Sequence, residues 1–201
     1  LYMQAAAFGA VMVADLEGLN PRQVTPDDRS VFSPSFSPGG SQIIFLVNDP
    51  DPIKPSTYFY IVDRDGHNRR QLTTTGESIE NYAWSPDGRK IAYTVHASAE
   101  IDSAHQIFVI DVADPSQKTF VGNGRVIQWL KDGSALNVLS NATTWRVPVQ
   151  GGPRERILRD STFVIQSPDG LMLAIVDGRI GKSSISVKGQ DNSERILFEG
   201  V

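Results

Sequence analysis

A tight-turn sequence that occurs four times is the feature that most constrains the fold of this chain. The copies read FSPGG (36–40), WSPDG (84–88), WLKDG (129–133) and QSPDG (166–170), and a short apolar run follows each one. Ser-Pro-Asp-Gly suits a hairpin, because Pro fixes the first corner, Asp tolerates the second and Gly adopts the left-handed exit. Each copy therefore predicts two antiparallel strands joined by a tight turn.

A second motif alternates with the turns. It reads MVADLEG (12–18), YIVDRDG (60–66), FVIDVAD (108–114), WRVPVQG (145–151) and ISVKGQD (185–191), and a short run ending in an apolar residue follows each copy. These end residues are spaced by 48, 48, 38 and 39 positions: Val24, Leu72, Phe120, Leu158 and Leu197. Such a period indicates one supersecondary unit per repeat. The runs are rich in β-branched and aromatic residues, which predicts a four-stranded antiparallel sheet in each unit.

One such sheet cannot bury both of its faces, so neighbouring sheets are predicted to pack face to face as the blades of a β-propeller. We therefore predict an all-β chain with four complete repeats and one partial repeat. The predicted organisation is a single domain over residues 1–201, with a partial blade at 1–28 and blades at approximately 29–76, 77–123, 124–160 and 161–201. An imperfectly closed five-bladed ring would fit this count, but we favour a piece of a ring of about six to eight blades.

The large aromatic residues are expected to serve this packing. We predict that they occupy equivalent repeat positions and fill the space between blades rather than forming a platform for sugars. The residues are Trp84, Tyr93, Phe108, Trp129 and Trp145.

The order of the two motifs resembles the WD40-like PD40 repeats of TolB-type β-propellers. The best copy covers residues 58–95, and the resemblance extends over nearly the whole chain. Repeats of this type occur in periplasmic Tol-Pal components, oligopeptidase gating propellers, sugar lyases and extracellular sensor domains, so the resemblance specifies fold more narrowly than function. It implies a periplasmic, extracellular or cell-surface location. Gly39, Leu130, Lys131 and Pro148 depart from the pattern, which predicts irregular or edge-like blades at those repeats.

Composition excludes several classes of function. The net charge is -4 with no basic stripe, which gives no support for nucleic-acid binding. No apolar run approaches the roughly 18 residues of a membrane helix, so we expect no direct membrane insertion. The apolar segment 5–14 has no preceding Lys or Arg, which argues against a signal peptide. The chain has no cysteine and hence neither disulfides nor thiol chemistry.

No catalytic residue, cofactor or metal ion is predicted. The chain has no G-x-S-x-G segment, and the loop at 177–184 lacks the first glycine of a phosphate-binding loop. His96 and His105 flank a loop that contains Glu100 and Asp102, and these residue types can bind zinc or manganese. Their spacing fits no known motif, however, so we expect a polar loop without a metal ion.

Two insertions are the predicted contact sites for a protein or peptide partner. The first contains three prolines, which would present Asp49, Asp51 and Lys54 on a stiffened loop. The second contains Glu100, Asp102 and His105.

We therefore predict a non-enzymatic binding or sensor scaffold, a role that is compatible with attachment to other domains in a longer chain. The alternatives are an accessory gating propeller of a larger hydrolase, such as a serine oligopeptidase, and a sugar-active propeller.

Overall fold

The computed structural model describes residues 9–26, 30–49, 56–73, 76–96, 105–159, 163–167, 169–179, 182–189, 191 and 193–200. These residues form strands, turns and irregular segments without any helix, so they include no helix of the length and apolarity that a membrane span requires. The chain divides into two compact units, Leu1–Ile79 and Glu80–Val201. The prediction of one domain over residues 1–201 stays a prediction.

The first unit contains a two-stranded sheet and a four-stranded sheet. The two-stranded sheet pairs β1 (Met12–Val13) with β2 (Arg22–Gln23). The four-stranded sheet has the order β3-β4-β5-β6 and consists of β3 (Ser30–Phe36), β4 (Gln42–Asp49), β5 (Ser56–Asp63) and β6 (Arg70–Gln71). Every pairing is antiparallel, as the hairpin turns predict.

Three further four-stranded sheets follow in chain order, each with its strands adjacent in the order of the sequence. The second sheet consists of β7 (Ile79–Trp84), β8 (Lys90–His96), β9 (His105–Asp111) and β10 (Lys118–Asn123). The third consists of β11 (Arg125–Trp129), β12 (Ala135–Ser140), β13 (Thr143–Pro148) and β14 (Glu155–Arg159). The fourth consists of β15 (Phe163–Gln166), β16 (Met172–Arg179), β17 (Lys182–Gly189) and β18 (Glu194–Gly200). This confirms the predicted four-stranded antiparallel blades.

The third sheet corrects one expectation. The sequence predicts an irregular or edge-like blade at Pro148. The pairing of this sheet has register shifts, but β13 is not an edge strand, because it lies between β12 and β14. Pro148 is the last residue of its strand and pairs with Ala135, so the interior of the ladder keeps its hydrogen bonds. The next amide, that of Val149, donates to the carbonyl of Ser134 at 3.1 Å.

The repeated turns have the predicted conformation. Gly40, Gly88, Gly133 and Gly170 have φ between 68° and 79°, the left-handed region that glycine adopts without steric cost. In the second turn, the Ser85 hydroxyl donates to Asp87 Oδ1 at 2.7 Å and accepts from the Lys90 amide at 2.8 Å. The hydrogen bonds of Ser85 therefore stabilise the same turn whose backbone conformation the glycine permits.

The third turn replaces this serine with Leu130 and uses a different hydroxyl. Ser134 donates to Asp132 Oδ1 through both its amide, at 2.9 Å, and its hydroxyl, at 2.7 Å. Backbone bonds between Leu130 and Gly133, at 2.9 Å, and between Leu130 and Ala135, at 2.9 Å, are retained. The carboxylate is thus satisfied from the far side of the turn, and the hairpin survives the substitution.

An apolar core joins the second sheet to the third. It is formed by buried residues from β8 and β9 on one side and from β11 and β12 on the other: Ala92, Ile107, Val109, Val126, Trp129, Leu136 and Val138. Two polar contacts join the same sheets: the buried bond from the Val126 amide to Thr94 Oγ1, at 2.9 Å, and the partly buried bond from Trp129 Nε1 to the Ala83 carbonyl, at 3.0 Å. These two sheets pack face to face, as the propeller prediction requires.

The first unit repeats this arrangement. Val11 and Val24, beside the two-stranded sheet, pack with four buried residues of the first four-stranded sheet: Ile43, Phe45, Val47 and Val62. The guanidinium of Arg22 donates to the backbone carbonyls of Arg64 at 2.7 Å and Asp65 at 2.6 Å.

The predicted role of the large aromatic residues is confirmed in part. Trp129 is 4% exposed and lies in the core between two sheets, and Tyr93 is also buried. Trp84, Phe108 and Trp145 are only partly buried. Trp84 and Trp129 occupy equivalent positions at the ends of first strands, and Phe108 and Trp145 both lie in third strands, whereas Tyr93 lies in a second strand.

Trp129→Ala is expected to lower the free energy of unfolding by about 3–5 kcal/mol, because it removes a large buried side chain and leaves a cavity between two sheets. Urea unfolding measures the loss. The control is Phe120→Ala, whose ring is 52% exposed and should cost less than half as much. Equal losses in the two variants would contradict the packing role of Trp129.

The turn aspartates are expected to make stability depend on pH. Hydrogen bonds from Ser85 and from the Arg89 amide lower the pKa of Asp87 below its ordinary value of 3.8, and Ser134 lowers the pKa of Asp132 in the same way. A carboxyl whose pKa is lower in the folded state binds fewer protons there than when unfolded, so its stabilisation is complete above the unfolded pKa. It is lost as pH falls through the lower, folded value.

Urea midpoints are therefore expected to fall as pH is lowered from about 5 to 2.5. The triple variant Asp87→Asn, Asp132→Asn and Asp169→Asn should show a shallower fall, because the pKa of Asp169 is lowered by Ser167 and the Leu171 amide in the same manner. An unchanged slope in the triple variant would assign the acid sensitivity to other groups.

Candidate functional site

The structure describes two of the six predicted contact residues. Asp49 is the exposed last residue of β4, where it pairs with Ser56 across the hairpin. His105 is the buried first residue of β9. Asp51, Lys54, Glu100 and Asp102 lie outside the described residues.

His105 belongs to a cluster of polar side chains in the second unit. Its Nε2 atom lies 2.9 Å from Glu80 Oε1 and 3.0 Å from Arg125 Nη2. The Nε atom of Arg125 donates to the other carboxylate oxygen, Glu80 Oε2, at 3.1 Å. The ring of His96 lies beside that of His105, with 5.0 Å between the ring centroids. We call these four residues the Glu80 cluster.

The sheet topology explains why residues so distant in sequence meet. In an antiparallel meander, the start of the first strand, the end of the second and the start of the third lie at the same end of the sheet. Glu80 is near the start of β7, His96 ends β8 and His105 starts β9, directly opposite His96. Arg125 comes from the start of β11 in the next sheet.

Backbone and side-chain contacts fix β11 against the second sheet. The Gly124 amide donates to the His105 carbonyl at 2.9 Å, and Asn81 Nδ2 donates to the Val126 carbonyl at 2.6 Å. These contacts lie next in sequence to Arg125 and Glu80. The guanidinium and the carboxylate are therefore presented by a rigid part of the fold.

The four side chains differ in their access to solvent. His105 has 7% of its side chain exposed, whereas Glu80 has 32% and Arg125 has 52%. His105 is thus the buried member of the cluster, and Glu80 and Arg125 form its solvent-facing part. Within the described residues, Glu80, His96 and His105 are a group whose donor atoms could hold a metal ion, since one ligand atom from each lies within 4.8 Å of the others.

Sequence reasoning identified His96 and His105 but missed Glu80 and Arg125. The histidines flank one loop, so they are close in sequence, whereas Glu80 is 25 residues before His105 and Arg125 is 20 residues after it. Alignment of the strand ends within a repeat would have placed Glu80 at the same end of the sheet as the two histidines. Nothing comparable marks Arg125, because its position depends on how the next sheet packs.

Comparison with solved structures identifies the fold. TolB from Acinetobacter baumannii matches at a TM-score of 0.68 with 20% identity, over 94% of this chain and 48% of that protein. An oligogalacturonate lyase in complex with manganese matches at 0.70 with 16% identity, over 89% and 53%. The acylaminoacyl peptidase of Pyrococcus horikoshii matches at 0.56 with 16% identity, over 85% and 32%. This chain has a TolB-like β-propeller fold.

The likeness at these identities concerns the fold, and the neighbours include both TolB and propeller-containing enzymes. The chain spans about half the length of the Acinetobacter TolB and of the lyase. No protein-family model matches the sequence, and no curated protein matches it either.

Gly124→Ala is expected to destabilise the protein by about 1–3 kcal/mol and to displace Arg125. Gly124 has φ +133°, and a Cβ atom there would lie 2.6 Å from Val138 Cγ1 and 2.7 Å from the Leu139 carbonyl oxygen. Urea unfolding measures the effect. The control is Gly122→Ala in the adjacent strand, where the nearest atom to the new Cβ is 4.0 Å away. Similar losses at both positions would contradict this account.

Proposed function

We propose that this chain is a non-enzymatic scaffold that binds a protein or peptide through the ends of its strands and the insertions that follow them. The observation that carries the proposal is the Glu80 cluster, in which a carboxylate and a guanidinium are presented to solvent on a buried histidine. Charged groups at the edge of an interface select a partner and orient it, because opposite charges attract and like charges repel. Rigid sheets lower the entropy cost of presenting such groups.

The contact residues proposed from sequence are divided between two insertions and the strands beside them. Asp49 ends β4, and Asp51 and Lys54 follow it in the sequence; Glu100 and Asp102 lie between β8 and β9 in the sequence, and His105 starts β9. His105 is too buried to provide much contact area, so we assign it the role of positioning Glu80 and Arg125. Those two residues, being more exposed, would make the contact.

The location follows from the same proposal. The likeness to TolB supports the periplasmic, extracellular or cell-surface location that the sequence predicts. Fractionation of the native host with an antibody to this chain tests it.

The binding proposal predicts that the double variant Glu80→Gln, Arg125→Gln loses a partner that the wild-type protein retains. The assay is cross-linking and pull-down from the native host in buffer with EDTA, followed by a binding titration with the recovered partner. We expect affinity to fall about thirtyfold or more, since removal of well-placed interfacial charges costs about 2 kcal/mol or more.

A matched pair of charges in the third sheet provides the control. Arg146 Nη1 and Glu155 Oε2 form a partly exposed ion pair at 3.1 Å, and the variant Arg146→Gln, Glu155→Gln should bind the partner as the wild type does. Equal binding by both double variants would exclude the Glu80 cluster as the contact site.

The alternative of an accessory propeller is supported by the likeness to an acylaminoacyl peptidase. A segment with G-x-S-x-G elsewhere in the gene would favour that function over an independent scaffold. The sugar-active alternative is supported by the likeness to an oligogalacturonate lyase. Stabilisation of the chain by oligogalacturonates in a thermal-shift assay would favour it.

A further inference from the structure

We propose that Glu80, His96 and His105 bind a divalent transition-metal ion. One ligand atom from each residue lies within 4.8 Å of the other two, and one carboxylate with two imidazoles is a set of protein ligands that zinc accepts. This inference does not depend on the proposed partner binding, because it concerns only these three side chains and an ion.

The positions of the donor atoms suit a single ion. Glu80 Oε1 and His105 Nε2 are 2.9 Å apart, near the separation of about 3.3 Å that two ligands have when each lies about 2.0–2.1 Å from a tetrahedral zinc. All three ligands are held by strands: β7 supplies Glu80, and the paired ends of β8 and β9 supply the histidines. The strands fix the backbone at these positions, so side-chain movement is what brings ligand atoms that lie within 4.8 Å of one another onto one ion.

The hydrogen bonds of His105 supply a second argument. If Nε2 is unprotonated, it can accept from Arg125 Nη2 at 3.0 Å, but it then faces the carboxylate oxygen Glu80 Oε1 with no proton between them. If Nε2 carries a proton, it can donate to Glu80, but it then faces an N–H of Arg125. Either form leaves one close contact between two groups of the same kind. An ion bound to both Nε2 and Oε1 removes the conflict between the two acceptors.

Arg125 would orient the Glu80 ligand, but it also competes with the ion for His105 Nε2. Its Nε donates to Glu80 Oε2, the oxygen that the ion does not need, and such outer contacts orient ligating carboxylates. Its Nη2 must leave His105 Nε2 before the ion binds. Because the guanidinium is a rigid plane, Nη2 leaves only if the whole group shifts, and the 52% exposure of the Arg125 side chain leaves room for that shift towards water.

The ion's class follows from the donors. Imidazole nitrogen favours zinc and its first-row neighbours, whereas magnesium and calcium prefer oxygen ligands. Since the chain has no cysteine, thiolate binding cannot produce a false result. Zinc chloride is therefore the probe, and magnesium chloride at the same concentration is the ion that should not bind.

The test is calorimetric titration of EDTA-treated, dialysed protein with zinc, together with thermal unfolding. The wild type should bind one zinc ion saturably and unfold at a higher temperature with it. His96→Asn and Glu80→Gln should each weaken zinc binding at least tenfold. The matched control is His67→Asn, because His67 is a 78% exposed histidine that pairs with Asp65 in another turn, and its loss should not change zinc affinity.

Cobalt(II) provides a readout other than affinity. Its visible absorption bands report nitrogen and oxygen ligands at the site, and they should disappear in His96→Asn but persist in His67→Asn. Far-UV circular dichroism checks that the variants are folded, and His96, being only partly buried, is the safer substitution.

The proposal is overturned if the wild type shows no saturable zinc binding. It is also overturned if His96→Asn and Glu80→Gln bind zinc as the wild type does, or if His67→Asn weakens binding to the same degree. The partner assay uses buffer with EDTA, so its failure and the failure of the metal site can be told apart.

Discussion

The packing of one small sheet on the next is the interaction on which this structure depends. Four short strands form a sheet with two apolar faces, and a sheet of this size cannot bury them by folding on itself. Trp129 and Leu136 of the third sheet meet Ala92 and Ile107 of the second, and this contact excludes water from both. The stability of each repeat therefore includes a term from its neighbour.

Because the faces of the sheets are used for packing, the ends of the strands remain available to bind ligands or partners. The Glu80 cluster lies at the ends of such strands and combines side chains from two sheets. Its geometry depends on the sheet packing, since Arg125 reaches Glu80 only when β11 is seated against β7 and β8. The buried bond from the Val126 amide to Thr94 and the bond from Asn81 to the Val126 carbonyl fix that seating.

The fold could be predicted because it is determined by local, repeated information. Gly88 and its counterparts adopt the left-handed backbone conformation that these tight turns require. The segments between successive turns are short and apolar, as strands are. Two details were not predictable in this way. Ser134 replaces the missing turn serine from a position outside the motif, and Pro148 is harmless because the strand ends there. The candidate site was half predictable, since the two histidines share one hairpin whereas Arg125 depends on contact between repeats.

The junction between the second and third sheets has a consequence for how this fold can evolve. Strand β10 ends at Asn123 and β11 begins at Arg125, so Gly124 alone links the last strand of one sheet to the first strand of the next. Such a link has no slack. Recombination that exchanges or duplicates a whole repeat at this point would have to preserve the residue count and the glycine.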